Sequence, residues 1–97
     1  MWQVWLRVSD DCVHLDLAGH VTVDTMAAIE TVVDRDVRAA AGRRVRVGLA
    51  AVERVDAAGL AMLRRCRARA LMRGVDLQVR ELSVPVREVL RGLTWPR

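Results

Sequence analysis

The 97-residue chain contains no Lys, no Phe and no Tyr, and its only aromatic side chains are Trp2, Trp5 and Trp95. The absence of Lys excludes chemistry that needs a side-chain amine, and hydroxyl chemistry is confined to Ser9, Ser83, Thr22, Thr25, Thr31 and Thr94. No apolar run approaches the roughly 20 residues of a membrane helix. The opening MWQVWLRVSDD lacks the basic region and apolar block of a signal peptide, so a cytoplasmic location is expected. Cys12 and Cys66 lie 54 positions apart in neither a CxxC pair nor a dense framework, which predicts reduced thiols in packed positions.

What is present is aliphatic. With 17 Val, 11 Leu, one Ile and 13 Ala, residues 1–97 read as one small domain with a branched aliphatic core. The net charge of +4 comes from 16 Arg against 12 acids. Arg64, Arg65, Arg67, Arg69 and Arg73 cluster in sequence but have no stacking aromatics among them. At about 100° per residue they spread round a helix, as a solvated face does, and a nucleic-acid partner is disfavoured.

Hydrophobic periodicity gives the elements. Trp2, Val4, Leu6 and Val8 alternate with Gln3, Trp5 and Arg7 as a strand with one covered face. After a turn at Ser9, Asp10 and Asp11, a second strand follows through Val13, Leu15 and Leu17 and ends at Gly19. Met26, Ile29, Val33, Val37 and Ala40 then recur at helical spacing, with Thr22 or Asp24 as cap and Gly42 as stop. Val45, Val47 and Leu49 form a third strand. A helix from about Ala58 to Arg73 carries Leu60, Leu63, Cys66 and Ala70, and Gly74 ends it. Val75, Leu77 and Val79 make a fourth strand. Ser83 caps a last helix with Pro85 in its first turn and Val86, Val89, Leu90 and Leu93 on its apolar stripe.

The order is ββαβαβα, an α/β fold with a four-stranded mixed sheet and helices packed mainly on one face. The other face bears His14, Asp16, Arg46, Gln78 and Arg80, read as cross-strand polar pairs.

Catalytic devices do not assemble from these parts. The serines fall in a turn and at a cap, away from both histidines, which removes a Ser-His-Asp arrangement. Zinc would need Cys12, His14, His20 and Cys66, but Cys12 and His14 share the wet face while Cys66 faces the helical core. A phosphate loop ending in Lys is impossible. No enzyme, metal or cofactor is therefore expected.

The informative segment is Val52-Glu53-Arg54-Val55-Asp56-Ala57-Ala58-Gly59-Leu60, read as a loop leaving the third strand, with Asp56 capping the second helix. Three features in order resemble a STAS domain, the fold of bacterial anti-sigma factor antagonists. They are Leu17-Ala18-Gly19 on the second strand, Asp56-Ala57-Ala58-Gly59-Leu60 opening the second helix, and Leu82-Ser83-Val84-Pro85-Val86 before the last. The resemblance covers essentially the whole chain. It implies a non-catalytic protein-binding switch whose partner is an anti-sigma factor or GHKL-type kinase.

In the regulatory members of that family, the residue after the Asp is a Ser or Thr that the partner kinase phosphorylates. Here it is Ala57, followed by Ala58, so no phosphoacceptor stands at this position. Many such antagonists also carry Gly-x-Leu-Asp after the second strand, where this chain has Gly19-His20-Val21-Thr22. Thr22 is read as a helix cap and His20 as an exposed loop residue. The expected partner-binding surface comprises Gly19, His20, Thr22 and Asp24 with Asp56, Ala57, Ala58, Gly59 and Leu60. The resemblance also admits a cytoplasmic STAS subunit that docks on the ATPase of a lipid-transport ABC complex.

Overall fold

The computed structural model describes residues 1–40 and 42–92; Leu93, expected on the last apolar stripe, and Trp95 lie outside the described residues. Seven elements follow in order: β1 (Trp2–Val8), β2 (Cys12–Val21), α1 (Met26–Ala39), β3 (Arg44–Val55), α2 (Ala57–Met72), β4 (Leu77–Arg80) and α3 (Val84–Arg91). The sheet runs β1-β2-β3-β4, with β1 antiparallel to β2 and the other pairings parallel. This is the mixed ββαβαβα arrangement that the alternation predicts. Val13, Leu15, Leu17, Val45, Val47 and Leu77 point into one core with Ile29, Val33, Leu60, Leu63 and Val86 from the helices.

Two strands run further than their patterns indicate. Gly19 does not end β2. It adopts φ +84° within the strand, where a Cβ would come within 2.4 Å of the Met1 carbonyl oxygen, so glycine lets β1 cross close by. The strand then continues to Val21, paired with Val55 of β3. Residues 52–55, expected as a loop, accordingly belong to β3. The register shifts between Asp16 and Ala18 and again between Gly19 and His20 each absorb an extra β3 residue. Such bulges break the two-residue period, which hid the second half of the strand.

β1 is covered only in part. The core reaches Trp2 and Val4 but leaves Leu6 and Val8 exposed, contrary to the covered face expected of all four. Cys12, expected on the wet face beside His14, is buried. The turn closes on the strand there, with Ser9 N–H and Oγ donating to the Cys12 carbonyl at 2.8 and 3.0 Å. On the wet face, Arg7 bonds Asp16 across the β1–β2 pair at 3.1 Å, while Arg80 bonds Gln78 along its own strand.

The helix ends hold two further differences. Neither Thr22 nor Asp24 caps α1. The N-cap position is Thr25, and the Met26 amide is received by the main-chain carbonyl of Thr22 at 2.8 Å. Ser83 stands at the N-cap of α3, but its hydroxyl makes no capping bond and lies buried without a partner.

The arginine cluster on α2 is not wholly a solvated face. Arg69 bonds Glu30 and Asp34 of α1, the latter at 3.0 Å, and Arg65 reaches Glu30 at 3.4 Å. These bonds fix α1 against α2. Partial burial raises the Glu30 carboxyl, but the hydrogen bonds from Arg69 and Arg65 and their charges together outweigh it and hold the group below its ordinary value. Beneath the clamp, burial and the nearby Asp34 charge push the Cys66 thiol up to about 12, so it stays a protonated, inert core side chain.

Because the folded Glu30 titrates below its unfolded value, its contribution to stability is complete above the ordinary carboxylate range and is lost as pH falls through the folded pKa. Arg69→Gln is expected to cost about 1 kcal/mol at neutral pH, the scale of a partly exposed ion pair. Urea denaturation at stepped pH should show the gap between the two proteins closing on acidification. An unchanged gap would assign the loss to packing of the arginine stem.

Candidate functional site

The C-terminal ends of β2 and β3 deliver the chain to the N-termini of α1 and α2, side by side. Asp56 joins them. Its Oδ1 accepts from the Gly59 N–H at 2.7 Å, closing the first turn of α2, and its Oδ2 accepts from the Val23 N–H at 2.9 Å in the turn before α1. Asp56 was expected as a helix cap; the structure adds a second function, a bridge between segments 33 residues apart.

Gly59 completes the junction from below. A Cβ there would lie 2.0 Å from the Val21 carbonyl oxygen, so only glycine lets α2 start this close to the end of β2. The turn before α1 is pinned by Thr25, whose hydroxyl donates to the His20 carbonyl at 2.8 Å and accepts from the Thr22 N–H at 3.0 Å.

The nine residues expected at a partner surface divide by depth. Asp24 and Ala57 are exposed, and Gly19, His20, Thr22, Asp56 and Ala58 are half-buried. Gly59 and Leu60 are buried, because one abuts Val21 and the other enters the core, so they support the surface from beneath and present no side chain to solvent. Gly19 and His20 lie within β2, which confines the turn itself to residues 22–25.

Two residues of this region were not singled out in the sequence. Val23 is an apolar side chain 57% exposed at the tip of the turn, held by Asp56 through its own backbone. Thr25 pins that turn. The signal for Thr25 is the Thr22-Val23-Asp24-Thr25 spacing just before helical periodicity begins, where a hydroxyl can satisfy turn amides.

The arrangement offers shape and hydrogen bonding. Both Asp56 oxygens are engaged with backbone amides, and the exposed tips are Val23, Asp24 and Ala57, an apolar, an acidic and a small side chain.

The family described as "Mlab, STAS domain" matches residues 5–95. The chain therefore belongs to the STAS domain family. Among solved structures, an anti-sigma factor antagonist from Mycobacterium paratuberculosis superposes with a TM-score of 0.80 at 18% identity, over 94% of this chain and 76% of that one. The anti-sigma factor antagonist SpoIIAA in its unphosphorylated form gives 0.71 at 17% identity, over 95% and 79% of the respective chains. Mglu is 26% identical with a TM-score of 0.68 over 79% of this chain, which spans only 19% of the Mglu chain. No match is found among curated proteins.

Asp56→Ala removes a helix cap and strands the Val23 amide, an expected cost of about 2 kcal/mol. Amide hydrogen exchange should speed up selectively at Val23 and Gly59. Exchange that rises uniformly along the chain would mean that Asp56 acts on global stability and not on this junction.

Proposed function

We propose that residues 1–97 act as one non-catalytic, cytoplasmic protein-binding domain of the anti-sigma factor antagonist type, whose partner is a kinase-type anti-sigma factor. The observation that carries this reading is the Asp56 bridge, which joins the turn at 22–25 and the start of α2 into one surface with Val23, Asp24 and Ala57 outermost. A surface preordered in this way loses little conformational freedom on binding. The likeness to two solved antagonists over more than nine-tenths of this chain supports the fold on which the reading stands.

Phosphorylation at the first position of α2 would add about −1.5 to −2 charges beside Asp56. Ala57 and Ala58 carry no hydroxyl, so this domain binds without that control. The same observation favours a second reading, a STAS subunit docked on the ATPase of a lipid-transport ABC complex, because a permanently docked subunit needs no phosphate switch.

Purified kinase and purified transporter ATPase, each titrated with the domain, separate the two readings. The kinase is expected to bind. With ATP it should leave residue 57 of the natural chain unlabelled and label Ala57→Ser at the introduced hydroxyl. Ala57→Asp should weaken binding at least tenfold. Undiminished binding by that variant would remove the surface assignment, and binding to the ATPase alone would establish the second reading.

A further inference from the structure

Among the described residues, β1 is an edge strand with no further strand on its open side. Of its seven residues, Trp5, Leu6 and Val8 are 51%, 52% and 60% exposed, there is no proline, and the single charge is Arg7. The opposite edge, β4, is four residues long and ends in Arg80, short and charged as protected edges are.

Backbone geometry restricts what can join β1. Ser9 N–H bonds the Cys12 carbonyl and His20 N–H bonds the Met1 carbonyl, each at 2.8 Å, at the two ends of a register running from Trp2–Gly19 to Val8–Val13. Antiparallel bonding alternates along a strand. Gln3, Trp5 and Arg7 therefore turn their N–H and C=O groups toward β2, and Trp2, Val4, Leu6 and Val8 turn theirs to the open side.

Those outward groups and the side-chain order are self-complementary. A two-fold axis at Trp5 sets it against the partner's Trp5 in a non-bonded pair, and it places Val4 opposite the partner's Leu6 and Trp2 opposite the partner's Val8 in bonded pairs. The exposed Leu6 and Val8 are thereby covered by aliphatic and indole surface. Arg7 falls opposite the partner's Gln3, so no like charges meet across the seam. Axes at Val4 or Leu6 also satisfy the alternation, but each leaves part of the strand unpaired; only the axis at Trp5 uses all seven residues.

We propose that β1 pairs antiparallel with β1 of a second copy, joining two four-stranded sheets into one continuous sheet. The junctions around Asp56 then lie at opposite ends of the seam and both stay open, which makes the dimer bivalent toward its partner.

Light scattering across micromolar to millimolar concentrations should give twice the chain mass. Leu6→Pro deletes an outward N–H while sparing the bonds to β2, and it should yield a monomer with an unchanged circular dichroism spectrum. Register is read by crosslinking: Trp5→Cys, self-opposed at the axis, should oxidise to a covalent dimer at least tenfold faster than Gln3→Cys. This second measurement carries the test if Leu6→Pro unfolds. A chain monomeric at every concentration, a Leu6→Pro variant that stays folded and dimeric, or Gln3→Cys crosslinking as fast as Trp5→Cys would each overturn the proposal.

Discussion

The carboxylate of Asp56 is the interaction on which the arrangement of this domain depends. A parallel strand-helix-strand unit leaves its helix N-terminus and the following loop free to vary. Here two such units meet, and one side chain spans them, accepting from Gly59 on one side and Val23 on the other. Charge-assisted bonds of this kind are stronger than neutral ones, and the positive end of α2 adds to them. The bridge holds because Gly59 has no side chain: with any Cβ, the Val21 carbonyl would push α2 outward, carrying Asp56 away from Val23.

A bridge at one end of two helices defines their separation only if their bodies are also fixed. Arg69 does this about three turns further along α2, bonding Glu30 and Asp34 on successive turns of α1. Between bridge and clamp, Leu60, Leu63 and Cys66 face Ile29 and Val33 in a core that needs no aromatic ring. The thiol of Cys66 is kept protonated there, and Glu30, Asp34, Arg65 and Arg69 tie the two helices together above it.

Most of this architecture was legible wherever one periodicity ran unbroken. Val13, Leu15 and Leu17 announced β2, and Leu60, Leu63, Cys66 and Ala70 announced the buried side of α2. Reading failed where local geometry overrode the period. The β3 bulges concealed residues 52–55 as strand, and Gly19, which reads as an end, is a bend of positive φ inside β2. Alternation alone could not show that the helices stop short of Leu6 and Val8, because it specifies a face and not what covers it. At the candidate site Asp56 was readable as a cap, since capping is local. Its bond to Val23 was not, because it joins residues that only the fold brings together.

The scarcity of hydroxyls takes on a physical meaning at this junction. Ala57 is the first residue of α2, one position beyond a carboxylate whose two oxygens both hold backbone amides. A phosphate placed there would compete for the same amides and repel Asp56 at short range, loosening the turn at Val23 as well as altering the surface charge. On the proposed reading, a phosphorylated relative is switched through shape as much as through charge. With a methyl group in place of the hydroxyl, that route to opening the bridge is closed. On that same proposed reading the surface stays in its ordered form, and its occupancy would follow the concentration of the partner and its affinity.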